Sequence, residues 1–436
     1  IRDYKVTGVQ TCALPISEMI VSTVDSEFTD IDWVPVASSF TIRDLGTYTV
    51  GTVTAYVKFR DGDKFESSVF STTSFLGPSA LTIGYITSCI ITPAGGAKCW
   101  GENAQGKLGN GETTASETGE HTPQNVLSFE GITSLATGGY HTCGYSESQG
   151  TKCWGSNKYG ELGFSANVGT YNANSTPRSV DSLSEEIDKI VTGHNHTCAL
   201  NSAGAVKCWG RNYQGQLGVT TNEGTDTPNT APVVLGGLSS GVKDVAAGGY
   251  HTCVLLTTNE LKCTGISGSN LTTISGLSGS NITDISNGGN GHTCVVEGGS
   301  VKCWGTNGKG QLGDGTQTNS TSVAVTVSGL PDSAIGVSTG NGFSCATLEN
   351  GSAYCWGTNS NGNLGINSNS DGPFLSPQKV VGISDASGSI GSGLHTCLIL
   401  NSGEMQCWGF NRMGQAGIGE HSEKVISPTG VVGVSQ

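Results

Sequence analysis

His196-Thr197-Cys198-Ala199-Leu200-Asn201-Ser202-Ala203-Gly204-Ala205-Val206-Lys207-Cys208-Trp209-Gly210 is the clearest of seven copies of one phrase in this 436-residue chain. The phrase carries fourteen of the fifteen cysteines: Cys198 with Cys208, Cys89 with Cys99, Cys143 with Cys153, Cys253 with Cys263, Cys294 with Cys303, Cys345 with Cys355, and Cys397 with Cys407. Paired cysteines stand ten residues apart, nine in the Cys294 copy, and the second members recur at intervals of 54, 55, 55, 40, 52 and 52 residues. A period of that size marks a repeat architecture, in which each unit buries its apolar faces only by stacking on its neighbours.

Between the cysteines of each pair lies a turn: Asn201 to Gly204 in this copy, Glu297-Gly298-Gly299-Ser300 in the short one, Glu349-Asn350-Gly351 in the sixth. Gly and Asn supply the positive φ that a tight reversal needs. The flanks alternate, as in Ala205-Val206-Lys207-Cys208-Trp209, which suits strands with one buried face. Each phrase therefore predicts a β-hairpin whose cysteines oppose each other, about 4.5–5.5 Å apart at Cα and within reach of a disulfide. Seven such bridges, each worth about 2–3 kcal/mol at most for the short loop it closes, predict an oxidising compartment: secreted, periplasmic or cell-surface. Zinc is the rival use of paired cysteines, but no closely spaced cysteine knuckle occurs, and no metal is expected.

Beyond each hairpin, Cys208-Trp209-Gly210-Arg211-Asn212 leads into Gly215-Gln216-Leu217-Gly218, with parallels at 106–109, 160–163, 310–313, 362–365 and 414–417. A variable polar loop follows, then a Pro and a β-branched run such as Pro232-Val233-Val234-Leu235. Each repeat thus offers about four short strands, the content of one propeller blade. The expected fold is all-β: a seven-bladed β-propeller with one disulfide per blade, expected to be monomeric.

The order His-Thr-Cys, turn, Val-Lys-Cys-Trp-Gly, Asn, Gly-Gln-Leu-Gly resembles the repeat of the regulator of chromosome condensation family, over residues 79–436. The resemblance implies the seven-bladed propeller, and the cysteine-bearing form is similar to secreted bacterial and extracellular members. Members of the family are alike in shape yet include a nucleotide-exchange factor on chromatin, a light sensor and a β-lactamase inhibitor, so the fold does not carry function. Two departures stand out. The fourth copy reads Cys263-Thr264-Gly265, without the Trp, and lacks the Asn and Gly-Gln-Leu-Gly segment, which predicts a trimmed outer loop and altered stacking. Thr87 and Phe343 stand where five copies have His. Repeat one begins at Ala80-Leu81-Thr82-Ile83 with no Pro-Val strand ahead of it, and the chain ends Pro428-Thr429-Gly430-Val431-Val432-Gly433-Val434. The expectation is that residues 428–436 complete blade 1 and clasp the ring.

The first eighty residues read differently. Residues 1–17 share nothing with the rest and read as a non-native tail, which makes Cys12 an accidental thiol. Within 18–78, Ser39-Phe40-Thr41-Ile42 and Val53–Gly62 alternate as strands, the second ending in a turn before Ser67-Ser68-Val69-Phe70. This block resembles the last strands of a bacterial immunoglobulin-like surface domain, shortened against the ~100 residues usual for that sandwich, and implies a stalk.

Composition narrows the function. The chain has 67 glycines, 13% charged residues and a net charge of −14. Binding to phosphates needs a basic face, so no nucleic-acid partner is expected. No apolar run reaches the ~18 residues of a membrane span. No signal-peptide pattern opens the chain, and for a disulfide-rich protein this suggests a fragment or processed form.

His141, His196, His251, His292 and His395 each precede the first cysteine by two positions. In a closed ring they occupy equivalent places, so they are candidates for a ligand or metal site near the channel. The plainer expectation, and the favoured one, is a blade-by-blade hydrogen bond from imidazole to the Gly-rich turn before it, as in Gly138-Gly139-Tyr140-His141. The repeated Trp (Trp100, Trp154, Trp209, Trp304, Trp356, Trp408) reads as core between blades rather than a sugar platform. The repeated Asn (Asn103, Asn157, Asn212, Asn307, Asn359, Asn411) reads as a backbone-bonding turn residue. Specificity is expected in the loops at 111–122, 164–176, 219–227, 314–321, 366–376 and 418–427, with Tyr171 and Phe374 as aromatic contacts. Their acids, Glu112, Glu223, Asp226, Asp314 and Asp371, match no calcium-loop spacing.

No HExxH or Walker loop occurs, so no enzyme and no cofactor are expected. The function expected is a binding or adhesion module at a cell surface, presenting variable loops to a protein or glycan. A secreted enzyme inhibitor and a guanine-nucleotide exchange regulator are the alternatives.

Overall fold

The computed structural model describes the backbone of Ile16–Ser22, Val34–Pro35, Thr52–Asp61 and Phe70–Phe75, and residues 80–434 apart from 115–118 and 280, with side chains from residue 80 onward except Ser389. The chain divides into two compact units between Ser79 and Ala80. In the first, the four strands form one antiparallel sheet in the order Val34–Pro35, Ile16–Ser22, Thr52–Asp61, Phe70–Phe75. Ser39–Ile42 of the immunoglobulin-like reading lies outside the described residues, as does Cys12.

The second unit is seven four-stranded antiparallel sheets, each made from one continuous stretch: 80–125, 132–179, 187–234, 242–273, 282–326, 334–379 and 386–430. We number them blades 1 to 7. Blade 3 runs Ile187–Thr192, His196–Asn201, Val206–Gly210, Asn229–Val234 from the inside out. The inner strands surround the axis, and the seventh packs back on the first.

Every cysteine pair is directly opposed in register on the two middle strands of its blade. All seven disulfides form, and each stays inside its own repeat. In blades 1 to 4 they join Cys89 to Cys99, Cys143 to Cys153, Cys198 to Cys208 and Cys253 to Cys263. In blades 5 to 7 they join Cys294 to Cys303, Cys345 to Cys355 and Cys397 to Cys407. The Cα–Cα distances are 4.0–4.1 Å, slightly closer than the general spacing of opposed strand residues. These fourteen cysteines are therefore structural staples, buried and spent on one another, and none is a ligand or nucleophile.

The apolar core lies between blades rather than within one. Leu162 of blade 2 shares a cluster with Trp209 of blade 3, and Leu108 of blade 1 with Trp154 of blade 2. The six repeated tryptophans are fully buried, each worth up to about 4–6 kcal/mol of transfer free energy.

At the axis the blades meet through glycine. A Cβ on Gly84 would lie 2.3 Å from the Gly138 carbonyl oxygen, one on Gly138 2.2 Å from that of Gly193, and one on Gly193 2.3 Å from that of Gly248. The circuit continues through Gly288 and Gly340 to Gly393, whose Cβ would lie 1.9 Å from the Gly84 oxygen. Here glycine answers a steric demand, because only a residue without a side chain lets neighbouring backbones approach this closely.

The C-terminal strand does not complete blade 1. Lys424–Gly430 pairs with Met405–Phe410 as the outer strand of blade 7, and blade 1 has its own outer strand, Glu120–Asn125. The reason is that each Pro-bearing strand returns to the third strand of its own repeat, so no blade lacks a strand. The ring is closed at the blade 7–blade 1 seam, where Ser88 meets His395 Nε2 at 2.6 Å, Trp100 Nε1 donates to the Gln415 carbonyl at 3.0 Å and Leu394 N–H donates to the Tyr85 carbonyl at 3.0 Å.

Candidate recognition face

The five histidines lie in the seams between blades and are fully buried or nearly so. His141 Nε2 meets Thr197 Oγ1 of the next blade at 2.7 Å, and that hydroxyl donates to the Glu161 carbonyl at 2.9 Å. Since a threonine has one hydroxyl hydrogen, the imidazole must be the donor at Nε2, and Nδ1 is left unprotonated. The same pair recurs as His196–Thr252, His251–Thr293, His292–Ser344 and His395–Ser88. Burial holds the imidazoles of His141, His196, His292 and His395 down at about 3 and that of His251 at about 4.

These five are therefore not a ligand ring, because each spends Nε2 inside the wall. The favoured bond to the Gly-rich turn is also not what the imidazole makes; the backbone makes it instead, with Gly193 N–H donating to the His196 carbonyl at 2.8 Å. Among the described residues no group of three or more His, Cys, Asp or Glu is placed to hold a metal ion.

The Gly-Gln-Leu-Gly segments act as straps. Each repeated Asn accepts through Oδ1 from the backbone N–H five residues on, as Asn212 from Leu217 at 2.9 Å. This fixes the strap so that its second carbonyl faces the next blade's tryptophan: Trp154 donates to Lys107, Trp209 to Glu161, Trp356 to Gln311 and Trp408 to Asn363.

In an antiparallel blade, the turn between the first two strands and the loop between the last two emerge at the same end. On that face blades 1 to 4 gather aromatic and cationic groups. His194 stands edge-on to Tyr85 and to Tyr250, at 5.6 and 5.2 Å between ring centroids, across the channel mouth. Tyr140 and Tyr250 remain 41% and 42% exposed beside it. Further out, Lys158 lies over Tyr171 and Tyr159, at 4.1 and 5.3 Å, and Arg211 over Tyr159 and Tyr213, at 4.8 and 5.1 Å. The result is a ladder of alternating rings and cations, Tyr171–Lys158–Tyr159–Arg211–Tyr213.

A cavity of about 300 Å³ opens beside this ladder, with Gln105, Tyr140, Ser156 and Asn195 in its wall. Beneath it, the Glu161 carboxyl accepts from Ser156 Oγ at 2.8 Å and Tyr159 N at 2.6 Å, and burial pushes it up to about 7. The Tyr171 hydrogen bond holds Lys158 above the usual lysine range.

Of the two aromatic loop residues singled out in the sequence, Tyr171 is on this face and 75% exposed. Phe374 is not a free contact: it opens the outer strand of blade 6, half-buried against the apolar cluster of blades 6 and 7. Glu223, Asp226 and Asp314 bond within their own surroundings, to Ser269, Arg211 and Thr316. Sequence reasoning missed Tyr85, Tyr140, Tyr159, Tyr213, Tyr250 and His194. Their one signal is that they vary at places flanking the repeated His and Asn.

Seven blades, with five of the seams strapped through a backbone carbonyl and a buried tryptophan, define a β-propeller of the strapped, disulfide-stapled kind. The sequence matches the RCC1-like domain over residues 97–436, and the chain belongs to that family. It is 28% identical over 329 residues to the ultraviolet-B receptor UVR8 of Arabidopsis thaliana, over 74% of this chain. The match spans less than two thirds of that receptor, 63% of its length. In structure it is similar to human WBSCR16, with a TM-score of 0.65 at 23% identity over 76% of this chain and 92% of that one. It is also similar to Prp20p of Saccharomyces cerevisiae, with a TM-score of 0.61 at 20% identity over 72% and 80%.

Proposed function

We propose that the propeller is a recognition module that binds a partner protein through the aromatic and cationic face of blades 1 to 4, with no catalytic role. The observation that carries this reading is the concentration there of Tyr140, Tyr171, Tyr213 and Tyr250, each at least 41% exposed, beside Lys158 and Arg211. Tyr and Arg, with Trp, dominate the binding energy of protein interfaces, because they bring large, stiff surfaces and polar tips together. Prp20p was studied for its binding to Gsp1p and histones, which supports a protein partner by fold-level analogy alone. The rigid ring adds a mechanism: the loops are held in place before binding, so little ordering entropy opposes association.

The seven disulfides favour an oxidising compartment, and a secreted or cell-surface setting is part of the proposal. Among the described residues no helix is long and apolar enough to cross a membrane.

Photo-crosslinking tests the face. Benzoylphenylalanine in place of Tyr171 should give a partner adduct in the native setting. The same group in place of Asp332, on the loop face at the other end of the blades, should not. Equal adducts from both positions, or none from position 171, would sink the assignment.

A further inference from the structure

Resting on that reading of the face, we infer that the tyrosine-lined cavity docks an acidic segment of the partner, whose carboxylate sits at Lys158 and Arg211. The chain carries a net charge of −14, yet no carboxylate lines this cavity. The second cavity on the same face, about 380 Å³ over blades 5 to 7, holds Lys309 and Asp371 together, so its charge is balanced. Lys158 has no carboxylate within ion-pair distance among the described residues; its ammonium bonds the Tyr171 hydroxyl. Arg211 holds Asp226 through Nε and Nη2, at 2.8 and 2.7 Å. Asp226 is itself more than half exposed, so an incoming carboxylate shares or displaces an exposed pair rather than a buried one.

Gln105, in the cavity wall, keeps Oε1 buried and without a donor. The Gln105 amide is uncharged and carries both donors and an acceptor, which suits a peptide backbone beside the docked carboxylate better than an isolated anion. The ladder also runs in one unbranched order of ring–cation contacts. An extended peptide, rising about 3.3 Å per residue and presenting alternate side chains to one side, follows such a row of rings and cations.

The probe is a fluorescein-labelled glutamate decamer, compared by anisotropy with a glutamine decamer on the intact, oxidised protein. The glutamate peptide should bind about tenfold more tightly, a difference of one decade in Kd. Lys158→Gln, at a half-buried surface position, and Tyr171→Ala, at an exposed one, should each remove most of that preference, and Lys309→Gln on blade 5 should leave it unchanged. Equal affinity for the two decamers would overturn the inference, as would full retention of the preference in Lys158→Gln. Binding of oligogalacturonate in preference to the glutamate decamer would also overturn it, by making this an anionic-sugar site. Should the decamer fail while crosslinking from position 171 still captures a partner, the acidic-segment inference falls and the recognition face stands.

Discussion

The seam between blades 2 and 3 and the seam between blades 4 and 5 begin with the same histidine and end differently. In the first, His141 bonds Thr197, Thr197 bonds the Glu161 carbonyl, and Trp209 donates to that same carbonyl at 2.9 Å. In the second, His251 meets Thr293 at 2.8 Å, and the chain of bonds stops. Blade 4 has no strap, so Trp304 is fully buried with its indole N–H unpartnered. Blade 4 itself is held from behind, since Thr264 stands in the tryptophan's place and donates to the Gly215 carbonyl at 2.8 Å. The straps thus act forward around the ring. A deletion written in blade 4 is felt in blade 5.

Acid should break both seams, because both depend on a neutral imidazole. A proton added at Nδ1 would put a charge and a new donor into a sealed seam, since Nδ1 makes no hydrogen bond at any of the five positions. The folded-state values near 3 to 4 lie below the ordinary 6.5. Between those limits the unfolded chain binds more protons, so stability falls as pH falls through 6.5, by about 1.4 kcal/mol per pH unit for each histidine. Glu161 runs the other way: its raised value makes the folded state keep a proton, a contribution present at low pH and lost as pH rises through about 7. Asp284, also raised by burial, runs the same way as Glu161, and five groups outweigh two. Urea unfolding should show a steep loss of stability between pH 6.5 and 4. His395→Phe, copying the natural Phe343 seam, should lower the proton uptake on unfolding by about one. A flat profile, or an unchanged uptake in that variant, would contradict the seam assignment.

The glycine circuit ranks the seams by clearance. A Cβ on Gly393 would lie 1.9 Å from the Gly84 oxygen, while one on Gly248 would lie 2.9 Å from the Gly288 oxygen and 2.5 Å from His251 Cε1. Gly393→Ala should cost on the order of 4 kcal/mol, and Gly248→Ala less, because rigid backbone meets rigid backbone most closely where blade 7 joins blade 1. Scanning calorimetry of the two variants checks the order, and equal losses would mean that the seams relax alike.

What could be read from the sequence was whatever a single repeat contains. The opposed cysteines, the hairpin turn and the role of Asn212 follow from alternation and spacing within about fifteen residues. The buried tryptophan could be assigned to the core for the same reason. Contacts between repeats were less legible. Nothing within repeat two says that His141 will find Thr197 fifty-six residues on, or that Lys424–Gly430 returns to its own blade. The recognition face was the least legible part. Tyr85, Tyr140 and Tyr250 stand on three different blades, and only a closed ring brings the first and last of them to opposite sides of His194.

The smallest effect separates the two seams most cleanly. Trp209→Phe removes a donor from a made hydrogen bond and leaves the Glu161 carbonyl with Thr197 alone, so it should cost about 1 kcal/mol beyond the change in packing. Trp304→Phe removes a donor that has no acceptor, and the buried-donor penalty disappears with it. The packing change is the same in kind at both sites, since both indoles are fully buried against the preceding blade. The two variants should therefore differ by about 1–2 kcal/mol, with Trp304→Phe the milder. In chemical denaturation both should keep the parent's slope, so that the difference appears in the midpoint. If Trp304→Phe costs as much as Trp209→Phe, the indole N–H at the blade 4–blade 5 seam has found an acceptor, and the missing strap has been replaced.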